Sequence, residues 1–459
     1  MPPLLLDCLY LSAALLYLPY LLYQMLVLKK NRRGWKQRFG GIPQRAGDRR
    51  CIWIHAVSLG EVNATQSLVA AIMQCMPDCE IVISATTDTG YAAARRHYPN
   101  HLVFRFPLDF SFAVNRVFNR IRPDAVVLME LEVWPNFIEI AARRGIPVGI
   151  ANGRVTEEKS MRRYGRPILR GIARRMFSKL AWTAAQNETY ATRFKVLGAR
   201  PESITVTGSM KYDTALIAEC SSGDSTPTDL GIDRTAPLIV AGSTGPGEEA
   251  MLLDAFAALS REIPTLQLAI IPRKPERFDE VARLIESRGY HCRRRSEHRD
   301  HSADAGIRNQ NRSSVKSGRD DENPMRVEDG SIRPTIHLGD TMGELRRYYA
   351  LADAVFVGRS LVPLGGSDLM EVAALGRPMC FGRHVENFAD TAEALLAAEA
   401  ALSVRETADL EPVLGCLLRD KDRARAMGDR ARDVILRHAG ATQQTVDLLR
   451  QSLDRPIAR

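Results

Sequence analysis

Ile52-Trp53-Ile54-His55-Ala56-Val57-Ser58-Leu59-Gly60-Glu61 decides how the rest of the chain is read. Its first half is an apolar, β-rich run of strand length. Ser-Leu-Gly then breaks the run, and Glu61 stands at the turn into a helical pattern. A parallel α/β sheet carries its chemistry at the carboxyl ends of its strands. Glu61 is therefore a candidate catalytic base. The dipole of a helix also favours an acid in its first turn without any catalytic role, so position alone leaves a structural reading open.

Working outward, short β-rich runs alternate with helical stretches. Strands are predicted at 51–57, 80–85, 101–106, 125–129, 147–151, 180–185 and 204–207. Such alternation predicts parallel βαβ units. A polar run, Ser221-Ser222-Gly223-Asp224-Ser225-Thr226-Pro227, reads as a linker. A second series follows at 238–241, 266–271, 335–338, 354–357, 379–381 and 401–404. The fold class is α/β, with two Rossmann-like domains and ligands at facing strand ends across a cleft. The second series is interrupted at 293–333, a stretch dense in Arg, Asp, Ser and Asn. Too little of it is apolar to offset its ordering entropy, so it reads as a disordered insertion.

The amino terminus differs. Residues 8–28 carry no charge, and Lys29, Lys30, Arg32 and Arg33 follow at once. About 20 apolar residues span a bilayer as a helix. No positive leader or small-residue cleavage site marks a signal peptide. The cationic flank predicts that the body of the protein is cytoplasmic. Tyr10, Ser12, Tyr17, Pro19 and Gln24 keep an interfacial helix open as the alternative. The predicted organisation is thus a membrane anchor at 1–33, an N-terminal domain at 34–215, a linker at 216–236, a C-terminal domain at 237–435, and a terminal helix at 436–459 that packs back toward the first domain.

The chain has 459 residues and a net charge of +9. That excess suits a nucleic acid, an anionic membrane or an anionic substrate. No helix-turn-helix, zinc-finger or RNA-binding signature is present, so nucleic acid is not an expected partner. The eight cysteines are scattered without zinc spacing, which predicts reduced thiols and no metal site. The stretch 159–179 holds eight Lys or Arg and no acid, with Arg166, Arg170 and Arg174 on one helical face. It reads either as a membrane-surface helix or as a solvated basic face.

Further motifs fall at predicted strand ends. Met129-Glu130-Leu131-Glu132-Val133-Trp134-Pro135-Asn136 sets two acids before a helix-starting proline. Gly208-Ser209-Met210-Lys211-Tyr212-Asp213 closes the first series with a lysine suited to stabilising a phosphate. In the second series, Gly242-Ser243-Thr244-Gly245-Pro246-Gly247 opens a helix with small residues whose amides suit an anion. It lacks the Gly-Lys-Ser/Thr ending of a Walker loop. Pro272-Arg273, Asp340-Thr341-Met342-Gly343-Glu344 and Gly365-Gly366-Ser367-Asp368-Leu369-Met370-Glu371 follow at other strand ends. Together they read as a nucleotide pocket, with amides for phosphate and Glu371 for ribose.

With Trp35, Arg38-Phe39-Gly40 and Asn152-Gly153-Arg154, these motifs resemble the 3-deoxy-D-manno-octulosonic acid (Kdo) transferases of lipopolysaccharide synthesis. These are glycosyltransferases of the two-domain GT-B fold, family 30. The likeness runs in order through nearly the whole chain outside 293–333. It implies transfer of Kdo from CMP-Kdo to a hydroxyl of a lipid A precursor, lipid IVA, with inversion and without a metal or other cofactor. It implies Glu61 as general base and Glu130 and Lys211 as transition-state stabilisers. It implies that Pro272, Arg273, Met342, Gly343, Glu344, Asp368, Leu369, Met370 and Glu371 bind the CMP moiety. The expected partners are CMP-Kdo, the lipid A precursor and inner-membrane lipid.

One departure stands out. The family usually carries Gly-Gly-His-Asn-Pro-Leu-Glu where this chain has Gly365 to Glu371, so Asp368 puts an acid near a phosphate. That costs Coulombic repulsion unless a cation compensates, and Arg359 is an extra cation nearby in sequence. Two alternatives stay open at this level: another membrane-associated GT-B transferase using a UDP-sugar, and an anchored binding protein without activity.

Overall fold

The computed structural model describes residues 3–26, 34–164, 166–220, 230–297 and 335–454. The chain divides into two compact units, residues 1–214 with 438–459 and residues 215–437.

The first unit contains β1 (Cys51–Ala56), β2 (Glu80–Ala85), β3 (Leu102–Arg105), β4 (Ala125–Met129), β5 (Val148–Gly153), β6 (Trp182–Ala185) and β7 (Ile204–Val206). They form one parallel sheet in the order β3-β2-β1-β4-β5-β6-β7. The order reverses between β1 and β4, which makes that pair the switch point where ligands collect. Every residue of β1 and β4 is buried, as expected of central strands with both faces covered. On one face Trp53 packs against Phe104, Phe106, Phe118 and Phe137. On the other, Ile52, Ile54, Ile83 and Val127 meet the Leu59–Cys75 helix and, from the chain's end, Ala441, Val446 and Leu449. That closing Ala441–Asp454 helix is pinned at its start by Asp213, whose carboxylate accepts the Gly440 and Thr442 N–H groups at 2.7 and 2.9 Å.

The second unit contains β8 (Leu238–Thr244), β9 (Gln267–Pro272), β10 (His291–Arg294), β11 (Thr335–Leu338), β12 (Ala354–Val357), β13 (Met379–Gly382) and β14 (Leu402–Val404). This second parallel sheet runs β10-β11-β9-β8-β12-β13-β14, with its reversal between β8 and β12. Each unit is thus doubly wound, as the alternation predicts.

Two expectations need adjusting. The segment read as a disordered insertion from 293 begins with structure: Arg293 and Arg294 belong to β10, paired in register with His337 and Leu338 of β11. As an edge strand β10 needs little apolar content, which is why its polar sequence hid it. The remainder of the insertion, from 298, lies outside the described residues. The linker read from 216 starts inside the Met210–Cys220 helix, and Leu230 and Ile232 are buried; 221–229 lie outside the described residues.

The amino terminus is a helix, Pro3–Leu26. Among the described residues no helix is long and apolar enough to cross a membrane; 27–33 lie outside them. The Pro3–Leu26 helix is docked at its beginning. Asp7 accepts from the Ser111 N–H and Asn136 Nδ2 at 2.9 Å, and Tyr10 donates its hydroxyl to Asp109 at 2.9 Å. Leu9, Leu11, Leu15, Leu16, Tyr17, Leu18, Tyr20 and Tyr23 are exposed.

Candidate active site

Glu61 sits in the first turn of the Leu59–Cys75 helix, directly after β1. Ser58 caps that helix, its hydroxyl accepting the Glu61 N–H. The Glu61 carboxylate in turn accepts the Val57 N–H at 2.9 Å and the Ser58 hydroxyl at 3.0 Å. Burial is the main force on its proton affinity. Against the lowering effect of those two donors, burial and the charges of Glu130 and Glu132 push its pKa up to about 7. A carboxylate poised there is half-ionised near neutrality, as a general base requires.

Glu130 follows β4 immediately, so Glu61 and Glu130 flank the switch point. Glu130 holds a left-handed backbone, φ 56°, and its N–H donates to the Ala151 carbonyl at 2.9 Å. Such a conformation costs a non-glycine residue of order 1 kcal/mol or more, and strain of this kind gathers at functional sites. Glu132 is also pushed up, first by burial, and accepts from Trp134 Nε1 at 3.2 Å.

Lys211 reaches this edge through Asn152. Asn152 ends β5, the neighbour of β4, is fully buried and is likewise left-handed at φ 54°. Its Oδ1 accepts the Met210 N–H at 3.1 Å and the Ser209 hydroxyl at 3.4 Å. The segment carrying Lys211 is thereby fixed to the same sheet edge as Glu61 and Glu130. The Lys211 ammonium has no acceptor among the described residues. The histidine of the opening motif is not part of this edge chemistry. His55 is fully buried, stacks on Phe106 at 3.7 Å, and burial drives its pKa down to about 3, so it is a neutral core residue.

In the second unit the predicted CMP residues lie at or after the carboxyl ends of three strands of the sheet. Pro272 ends β9 and Arg273 follows it; Met342, Gly343 and Glu344 follow β11; Asp368 to Glu371 follow β12. Arg273 and Met342 are exposed. Glu371 is pushed up, first by burial and next by the Asp368 charge, while Arg346 and Arg273 pull the other way. Buried Tyr349 feels the charges of Glu371, Asp368 and Arg273 as well, so these four groups share one locality. Asp368 also holds its own backbone in place, since its Oδ1 accepts the Met370 N–H at 2.9 Å where the Met370–Ala374 helix begins. The Arg359 guanidinium donates to the Leu364 carbonyl at 2.9 Å.

Two site features differ from the sequence reading. The Glu344 carboxylate is engaged within the chain. Burial would raise its pKa, but hydrogen bonds from Arg295 and Thr341 and the charges of Arg295 and Arg347 hold it at about 2. Arg295 and Arg347 thus tie the Glu344 carboxylate into its own loop. The small-residue turn after β8 is also occupied. The Glu248 carboxylate, fully buried, accepts the N–H groups of Gly245, Arg359, Ser360 and Leu361 at 2.6–2.9 Å. An internal acid thus fills the anion position that the turn offers, and it ties β8 to β12 across the switch point.

Sequence reasoning missed Asn152 as the residue that fixes the Lys211 segment and Glu248 as the staple of the second unit's turns. An asparagine beside glycine, directly after an apolar strand, was the available signal for the first, since Asn tolerates φ > 0. Ser243 and Arg359, at φ 56° and 61°, repeat the pattern at the ends of β8 and β12. Among the described residues no group of three or more His, Cys, Asp or Glu is placed to hold a metal ion.

Comparison with known proteins follows the same lines. A family model described as 3-Deoxy-D-manno-octulosonic-acid transferase (kdotransferase) matches residues 33–214. The chain is 32% identical over 409 residues to the 3-deoxy-D-manno-octulosonic acid transferase of Haemophilus influenzae, which spans 88% of each protein. It is 34% identical over 413 residues to that of Bordetella pertussis, spanning 87% of this chain and 86% of the relative. Among solved structures it is similar to UDP-GlcNAc 2-epimerase from Neisseria meningitidis, with TM-score 0.56, 12% identity, and coverage of 88% and 100%. A glycosyltransferase from Rickettsia africae gives TM-score 0.52 at 11% identity, covering 89% and 100%. At such identities the structural likeness speaks for the fold alone, the GT-B fold.

Proposed function

Because the chain belongs to the 3-deoxy-D-manno-octulosonic acid transferase family, and is therefore a glycosyltransferase of lipopolysaccharide synthesis, we propose that it moves Kdo from CMP-Kdo to a hydroxyl of a lipid A precursor, lipid IVA, with Glu61 as the general base. The observation that carries this reading is the Glu61 carboxylate itself: half-buried, held by Val57 and Ser58, and shifted to about 7 at the first unit's switch point.

In the proposed reaction the acceptor oxygen attacks the anomeric carbon of Kdo while its proton passes to Glu61. The bond from that carbon to the CMP phosphate breaks, and the phosphate leaves with the electron pair. Attack opposite the leaving group inverts the centre. The reaction asks for no metal or other cofactor, since a positioned base supplies about 10²–10⁴-fold and fixed cations stabilise the departing charge. Glu130 and Lys211 act on the transition state. On the donor side, Pro272, Arg273, the Met342–Gly343 backbone and Asp368 to Glu371 bind the nucleotide. Glu344 contributes by holding its loop through Arg295 and Arg347.

The proposal extends to location. The Pro3–Leu26 helix presents its exposed leucines and tyrosines to the cytoplasmic face of the inner membrane, lying in the interface with its start fixed by Asp7 and Tyr10. Flotation with anionic vesicles tests this: Leu15→Glu with Leu16→Glu is expected to release the protein, and unchanged flotation removes the idea.

The test of activity is transfer from CMP-Kdo to lipid IVA by wild type and by Glu61→Gln. Loss of transfer in the variant supports the base assignment, and undiminished transfer ends it. Binding of UDP in place of CMP removes the donor assignment.

A further inference from the structure

A cavity of about 1280 Å³ opens in the first unit, beside the catalytic edge but separate from Glu61, Glu130 and Lys211. Its wall carries four cations, Lys36, Arg105, Arg116 and Arg120, against one carboxylate, Asp88. Tyr91 completes the charged end, with the Arg105 guanidinium 4.6 Å above its ring.

Arg105 is the anchor of the wall. It is the last residue of β3 and is only 6% exposed. One Nη pairs with Asp88 at 2.5 Å, while the other, Nη1, is buried with no hydrogen-bond partner. A buried guanidinium hydrogen without an acceptor is costly and asks for a ligand oxygen. Lys36 and Arg116 are exposed and have no ion-pair partner among the described residues. Burial first, and the Arg105 charge second, lower the pKa of neighbouring Arg38, while Asp88 pulls the other way.

The cavity is wired to the base. Thr87 caps the Asp88–His97 helix, whose first turn supplies Asp88 and Tyr91. The Thr87 N–H and hydroxyl both donate to the Val57 carbonyl, at 3.0 and 2.9 Å. Val57 in turn donates its own N–H to Glu61. A single residue, Val57, therefore joins the base to the helix that lines the cavity.

We propose that this cavity is a phosphate site, which takes a phosphomonoester carried on a larger headgroup. Planar guanidinium forks match phosphate oxygens two at a time. The positive excess matches the double charge of a monoester better than a single carboxylate. The volume lies at or above that of pockets for drug-sized ligands, about 300–1,000 Å³, and far exceeds a lone phosphate ion. Assigning the phosphate to the acceptor lipid rests on the transferase reading above; the anion site itself does not.

The experiment measures equilibrium binding of three probes to the full chain: a bis-phosphorylated glucosamine-disaccharide lipid in mixed micelles, the same lipid after phosphatase treatment, and inorganic phosphate. Arg105→Gln strips Asp88 of its partner and risks the fold, so the decisive variant is the exposed pair Lys36→Gln with Arg116→Gln. The phosphorylated lipid is expected to bind it about tenfold more weakly, the loss of one or two charge-assisted contacts. The dephosphorylated lipid is expected to bind variant and wild type alike. Equal affinity of wild type and variant for the phosphorylated lipid overturns the site. Phosphate binding that the variant abolishes, with no change for the lipid, overturns the lipid as occupant. Kdo transfer is read on the same preparations. Wild type that binds the lipid through this cavity yet transfers nothing removes the proposed reaction and leaves the site standing.

Discussion

Glu61 and Glu130 stand on opposite sides of the β1/β4 switch point, and the Glu130 charge adds to the burial that lifts the Glu61 pKa to about 7. Only the ionised form accepts a proton, so kcat/KM for transfer is expected to rise with pH through about 7. Glu130→Gln removes a like charge, lowers the Glu61 pKa and moves the rising limb to lower pH. A pH profile of both proteins checks the direction; an unmoved limb shows that the two acids do not communicate.

The same shift carries a stability cost. A carboxyl whose folded pKa lies above its ordinary 4.5 binds its proton more tightly when folded. The folded state therefore loses stability as pH rises from about 4.5 through about 7. Glu61→Gln is expected to be more stable than wild type at pH 8, by ~1–2 kcal/mol, while transfer falls by roughly 10²–10⁴. Urea unfolding at about pH 5 and 8 is the check, and an equal difference at both pH values contradicts it.

Asn152 supplies a test of strain against hydrogen bonding. Asn152→Ala keeps a Cβ at φ 54° and deletes the acceptor for Met210 and Ser209. The expected loss is about 1–3 kcal/mol. Asn152→Gly suits the backbone and is expected to lose less. Both leave the Lys211 segment untethered, so transfer falls in both; normal turnover by the glycine variant means that Lys211 needs no tether.

Glu248 gathers four backbone N–H groups. Glu248→Ala strands all four in a buried setting, at an expected cost of about 3–5 kcal/mol. Chemical denaturation measures it, and a change below about 1 kcal/mol means the turns hold without the staple.

Asp368 and Glu371 crowd one locality. Asp368→Asn keeps an acceptor for the Met370 N–H and removes the repulsion that raises Glu371. CMP binding at about pH 7 is expected to tighten several-fold, a gain of about 1 kcal/mol. Calorimetry tests it, and weaker binding assigns Asp368 a direct contact with the nucleotide.

The doubly wound architecture was legible because central strands such as Ile52 to Ala56 and Ala125 to Met129 are buried on both faces and read as unbroken apolar runs. The edge strand His291–Arg294 was not, because one exposed flank lets it keep Arg and His. Glu61 was legible from its place after a strand. The shift of its pKa was not, since that depends on burial and on Glu130, distant in sequence. Glu344 was legible as a strand-end acid, yet its engagement by Arg295 came from a residue directly after β10, in a segment that had been read as disorder. Backbone handedness at Glu130 leaves no mark in the residue type, whereas at Asn152 the asparagine itself was a signal.

The closing helix has a consequence for how the protein is made. Ala441, Val446 and Leu449 fill the face of the first sheet that Ile52 and Ile54 leave open, and Asp213 waits for the amides of Gly440 and Thr442. Domains generally fold as units while the ribosome works from the amino end. Here the second unit is one uninterrupted segment, residues 215–437, and has all its parts before the first unit does. The half that carries Glu61 is synthesised first and completed last, with part of an apolar sheet face uncovered until the closing segment, residues 438–459, emerges from the ribosome.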